Sequence, residues 1–177
     1  MHSSASLPRA PDRRCVVVGI LPGQPDNVIM QAAGLAEDLD AEIVFASVDL
    51  SRYLVEEHPD GSIVSMPVDP DLPELEDAVF DTGLEQRLHR LLIGRDLVWE
   101  VRELAGDPAR ALSHLANTLD AQAIIVGTRD HTLRAGLQEF FNGSVAVHLA
   151  HRQHRPVIVI PVSPVLGTAA LPWEEPQ

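Results

Sequence analysis

Five short runs rich in valine and isoleucine, separated by stretches in which apolar residues recur at helical spacing, constrain this chain more than any other feature. The runs cover residues 15–21, 42–48, 97–104, 123–127 and 157–162. Several are almost continuously apolar, the pattern a strand needs when helices cover both faces of its sheet. The third alternates instead: Trp99, Val101 and Glu103 fall on one face and Val98, Glu100 and Arg102 on the other. Such alternation suits an edge strand.

The intervening stretches read as helices. Val28, Ile29, Ala32, Ala33, Leu35, Ala36 and Leu39 share one face, and Pro25 with Asp26 supplies a start. Leu84, Leu88, Leu91 and Leu92 repeat similarly between Asp81 and Gly94. Asp107-Pro108 is an N-cap followed by proline at the first helical position, where its missing N–H costs nothing, and Ala111, Leu112, Leu115, Ala116 and Leu119 form the buried stripe behind it. A last helix is predicted over residues 144–153, stopped by Pro156. The order β-α-β-α-β-α-β-α-β predicts an α/β fold: an open, mostly parallel five-stranded, Rossmann-like sheet with helices on both faces.

A ligand of such a sheet binds beyond the carboxyl ends of its strands, where the strand order reverses. Residues 21–24, 48–50, 106–107 and 127–142 are expected along that edge. Two segments lie outside the regular pattern. Residues 49–75 are acidic and carry Pro59, Pro67, Pro70 and Pro73, which predicts an irregular excursion, and residues 163–177 read as a tail. Residues 14–162 form the expected domain, residues 1–13 a disordered arm, and no internal repeat is apparent.

Charge narrows the partners. Asp and Glu number 26 against 13 Lys and Arg, a formal charge of −13. That balance repels a nucleic-acid backbone and an anionic membrane surface alike, and no apolar run approaches the roughly 18–20 residues that cross a bilayer. The opening residues lack the apolar core of a secretory signal. The single Cys15 cannot form an internal disulfide, which fits a reducing cytoplasm, and its place beside the first apolar run predicts a small buried hydrophobe.

Recognised catalytic patterns are missing. His148, His151 and His154 recur every three residues on the last helix, but angular drift and the neighbouring Arg152 and Arg155 make them a solvated face instead of a metal site. Ser144 lacks the glycine spacing of a nucleophile elbow. Neither a phosphate-binding G-x4-G-K-[ST] loop nor a G-x-G-x-x-G turn follows the first strand.

The most informative segments are Ile124-Ile125-Val126-Gly127-Thr128-Arg129, Asn142-Gly143-Ser144-Val145 and Arg155-Pro156-Val157-Ile158-Val159-Ile160-Pro161. With the first strand and helix and with Ala105-Gly106-Asp107-Pro108-Ala109, they resemble the universal stress protein family over roughly residues 14–162. That family's glycine loop, G-x2-G-x9-G-[ST], lies between the fourth strand and the last helix and holds the phosphates of ATP in nucleotide-binding members. The resemblance implies a cofactor-binding set of Leu21, Val48, Val126, Gly127, Arg129, Gly143, Ser144 and Val145, with Val48 near the base and Gly143, Ser144 and Val145 at the phosphates. It implies ATP or AMP as cofactor, with Mg²⁺, and a homodimer formed through the last strand, from Val157 to Ile160.

The departures from the family pattern bear on chemistry. Leu21 stands where ATP-binding members carry an aspartate after the first strand. Asp130 occupies the place of the second glycine, and Gly143 follows Gly127 by sixteen residues, three more than the pattern. Arg129 and Arg134 offset the acid, and Gly136 supplies a flexible point. Two readings follow: a non-catalytic stress-response or regulatory homodimer with a modified nucleotide pocket, or an adenine-nucleotide-binding protein with slow ATPase activity. A nucleotidyltransferase of the wider α/β group would need H-x-G-H after the first strand, and Leu21-Pro22-Gly23-Gln24 does not supply it.

Overall fold

The computed structural model describes residues 14–58, 63–69, 79–128 and 145–162. Its elements in chain order are β1 (Cys15–Gly19), α1 (Asp26–Asp38), β2 (Glu42–Asp49), β3 (Arg52–Glu57), β4 (Ile63–Pro67), α2 (Thr82–Leu92), β5 (Trp99–Ala105), α3 (Pro108–Thr118), β6 (Ala123–Gly127), α4 (Val145–Arg152) and β7 (Val157–Ile160). Five strands form one parallel sheet in the order β5-β2-β1-β6-β7. The strand whose side chains alternate, β5, lies at an edge as its pattern predicts.

Each face of the sheet carries its own core. Val16, Val18, Ile43 and Phe45 pack with Val28, Ile29, Ala32 and Ala36 of α1 and with Leu84, Leu88 and Leu92 of α2. On the other face Val17, Val44, Ala46, Ile124 and Val126 meet Leu112, Leu115 and Ala116 of α3 and Leu149 of α4. The near-continuous apolar runs are thus explained, since β1 and β6 bury both of their faces. Cys15 is wholly buried in the second core.

Local chemistry fixes the helix ends. The Asp107 carboxylate accepts the Arg110 N–H at 2.8 Å, and Asp81 accepts the Leu84 N–H at 2.6 Å, so α3 and α2 both begin on a capping aspartate. Helices α1 and α3 leave through the same Leu-Asp-Ala sequence. Asp40 and Asp120 adopt left-handed backbone at φ 49° and 48°. Ala41 N–H donates to Ala36 at 2.9 Å and Ala121 N–H to Ala116 at 2.8 Å, closing the two-bond helix exit usually built on glycine. Arg155 braces the second exit, with its Nε on the Ala121 carbonyl at 2.6 Å and Nη2 on Asp120 at 3.0 Å.

Within residues 49–75, the described stretches 49–58 and 63–69 depart from expectation, and Pro59, Pro70 and Pro73 lie outside the described residues. Instead of an irregular excursion, β3 and β4 pair as an antiparallel hairpin with a bulge between Leu54 and Glu56. Arg52 on β3 ties the pair together by donating to Ser65 Oγ at 2.8 Å and to the Ser65 carbonyl at 2.6 Å. Pro67 ends β4 instead of interrupting it, a position where a missing N–H is tolerated. The first and last strands are shorter than their apolar runs: β1 ends at Gly19 and β7 at Ile160. Among the described residues no helix is long and apolar enough to cross a membrane.

A candidate ligand site at the switch point

The chain runs outward from β1 to β2 and β5, then returns to the other side of β1 for β6 and β7. The order therefore reverses between β1 and β6, and a cleft opens there beyond the strand ends. Gly19, Ile20, Leu21 and Gln24 line it after β1, with Ala46 and Val48 from β2, Val126 and Gly127 from β6, and Pro108, Leu112 and Val145 from the helices. Its volume is ≈ 80 Å³.

Leu21, Val48, Val126, Gly127 and Val145, five of the residues that the sequence nominates, converge on this cleft. Arg129, Gly143 and Ser144 lie outside the described residues, as do Asp130, Arg134 and Gly136. Gly19, Gln24, Pro108 and Leu112 are lining residues that the motif did not supply. Gly19 could have been suspected, because a glycine in a strand marks a close approach: a Cβ there would come within 2.9 Å of Leu112.

Gly127 has a packing role. A Cβ added to it would collide with Gln24 Nε2 and reach 3.0 Å from Val162 and 3.1 Å from Val28. Gln24 is itself buried and tethered: its Oε1 accepts the Leu21 N–H at 3.3 Å, and its carbonyl accepts from Arg87. The strand end is held closed on that side by Thr128, whose N–H donates to Ile160 at 2.7 Å and whose Oγ1 accepts the Val162 N–H at 2.8 Å. The protein's own side chains thus account for the glycine on the α1 face.

None of the cleft's described lining residues is ionisable. A hard divalent cation takes oxygen ligands, usually carboxylates, and Leu21 offers methyl groups where such an oxygen would stand. The apolar lining of Ile20, Val48, Leu112 and Val126 instead suits the face of a planar ring.

Among the described residues, the one strongly shifted acid lies elsewhere. Glu103 on β5 is pushed up to about 7, mainly by burial and then by the neighbouring Asp49 and Asp81 carboxylates, against a hydrogen bond from Ser47 that favours its charge. It lies on the face covered by α1 and α2 and lines no part of the cleft. His148, His151 and His154 are exposed. Among the described residues no group of three potential ligands is placed to hold a metal.

A family model describing the universal stress protein family matches residues 13–161. A solved universal stress protein in complex with cAMP has the same fold, with a TM-score of 0.56 at 20% identity over 85% of this chain and 98% of that one. A universal stress protein from Archaeoglobus fulgidus gives 0.53 at 18% identity over 83% and 93%. No curated protein sequence matches.

Proposed function

The chain belongs to the universal stress protein family, and on that premise we propose that it is a non-catalytic stress-response or regulatory domain acting as a homodimer, its nucleotide pocket modified. The uncharged lining that the described residues give the switch-point cleft carries this reading. Hydrolysis of a phosphoanhydride needs a positioned base, a metal or a cation at the developing charge, and none is offered by the described residues around this cleft. Homodimerisation is supported by β7, an edge strand whose Val159 is 43% exposed while Val157 and Ile158 are half-buried. An apolar edge of this kind is a template for pairing unless covered.

Titration calorimetry with ATP and Mg²⁺, repeated with AMP, tests the pocket. No heat up to millimolar ligand is the expected result, and micromolar binding overturns it. Mass in solution tests the assembly: twice the chain mass at micromolar concentration is expected, and a monomer removes the dimer from the proposal.

A second reading, an adenine-nucleotide-binding protein, is favoured by the convergence of Leu21, Val48, Val126, Gly127 and Val145 on one cleft and by the cAMP held in the structurally similar protein. In it Val48 lies near the base, Val126 and Gly127 begin the loop, and residues 143–145 approach the phosphates. Gly143→Trp then weakens nucleotide binding at least tenfold, and unchanged affinity excludes that assignment.

A further inference from the structure

A second, larger cavity lies on the opposite side of the α3 N-terminus. It has a volume of ≈ 390 Å³ and is enclosed by the β3–β4 hairpin, the end of β5 and the first two turns of α3. That size is within the roughly 300–1,000 Å³ range of small-molecule sites. We propose that it binds a small organic acid, a molecule with an apolar body of about ring-pair size and a single carboxylate.

The apolar part of the site is built by both sides. Leu104 and Leu115 form its buried base, Ala111 lies between them and solvent, and Ile63 closes it from β4. Tyr53 and Leu54 reach it from β3 yet remain 47% and 46% exposed. The hairpin thus leaves large apolar groups uncovered around a hollow, where a ligand's hydrocarbon would remove them from water.

The rim selects the charge. Of its acids, Asp107 is committed to capping α3. Glu57 is committed through both oxygens, one to His114 Nε2 and the other to the Thr118 hydroxyl at 3.2 Å. Arg110 is exposed, and among the described residues no carboxylate pairs with its guanidinium. It stands one turn before His114, on the same rim and near the positive end of the α3 dipole. A guanidinium in this position matches a planar carboxylate. The net charge of −13 disfavours free anions at long range, so charge alone gives little affinity and the apolar body is needed.

The test uses the full chain, 1-naphthoate as probe and its neutral amide as control, followed by calorimetry. Saturable naphthoate binding is expected, with 1-naphthamide about tenfold weaker, the scale of one charge-assisted hydrogen bond. Inorganic phosphate gives no heat. Arg110→Gln, a change at an exposed position, lowers naphthoate affinity about tenfold and leaves naphthamide unchanged. Ala111→Trp fills the hollow from the helix and Leu54→Trp from the exposed hairpin, two independent routes, and each abolishes binding of both probes. The proposal is overturned by no saturable binding at millimolar naphthoate, by equal affinity for acid and amide, or by undiminished binding in a folded tryptophan variant. None of these outcomes depends on whether the switch-point cleft takes a nucleotide.

Discussion

The two hollows flanking the start of α3 differ in origin. The cleft between β1 and β6 is placed by strand order alone, and it is small and without charge among its described lining residues. The cavity under the hairpin is made by a connection between β2 and α2 that the parallel sheet does not require, and it carries Arg110, His114, Glu57 and Asp107 on its rim. Parallel topology dictates where a cleft must open, but the loops decide what chemistry lines it. Among the described residues, the ionisable groups gather beside the switch point instead of in it.

Leu112→Ala would break this contrast most strongly. Leu112 is 2% exposed and lines the cleft but not the hairpin cavity, so truncation should cost about 3 kcal/mol in denaturant unfolding and enlarge the cleft. Gly127→Ala should cost about 1–3 kcal/mol, because the new methyl meets Gln24, Val28 and Val162. A neutral result would mean that Gln24 swings away and that the cleft is wider in solution.

A pH series comes next and separates fold from site. The Glu103 carboxyl is raised from 4.5 to about 7. Between those values the folded state keeps a proton that the unfolded state releases, so stability should fall as pH rises through this window and level off above it. Glu103→Gln should flatten that part of the curve and leave naphthoate binding at Arg110 unchanged. A flat wild-type curve would show that Glu103 is better hydrated in solution than its burial beside Asp49 and Asp81 implies.

Asp107→Ala removes the cap at the turn that both hollows share. A loss of about 1 kcal/mol is expected, together with weaker naphthoate binding as the first turn of α3 frays. The smallest effect belongs to a control remote from both hollows. Asp40→Gly relieves an aspartate in left-handed backbone and should stabilise the fold by about 0.5 kcal/mol with no change in ligand binding.

Much of this architecture is legible in the residues. Buried strands announce themselves as Val-Ile runs, β5 by its alternation, and α3 by Asp107-Pro108. The family's glycine pattern also points at the cleft, since Val126, Gly127 and Val145 do line it. The hairpin is harder to see, because Pro67 argues against a strand and only the pairing partner shows that it ends one. The cavity is harder still. Its rim depends on Glu57 meeting His114, fifty-seven residues later, and no local spacing encodes that contact. Gln24 closing on Gly127 is of the same kind: a glutamine after a strand carries no motif, and its effect exists only once β6 lies alongside β1.

The central place of β1 also has a consequence for how the protein is made. Val16 pairs with Ile43 on one side almost as soon as both have been synthesised, but its partner on the other side, Ala123, is more than a hundred residues away. At ribosomal rates of roughly 5–20 residues per second, that flank of β1 stays open for about 5–20 s. For most of this interval the nascent chain holds only the β1–β2 pair, β5 joining it once residue 105 is made, and the other flank of β1 faces outward. A chaperone that shields it would matter most before residue 123 emerges, and a chain stopped there would be the form most prone to clump.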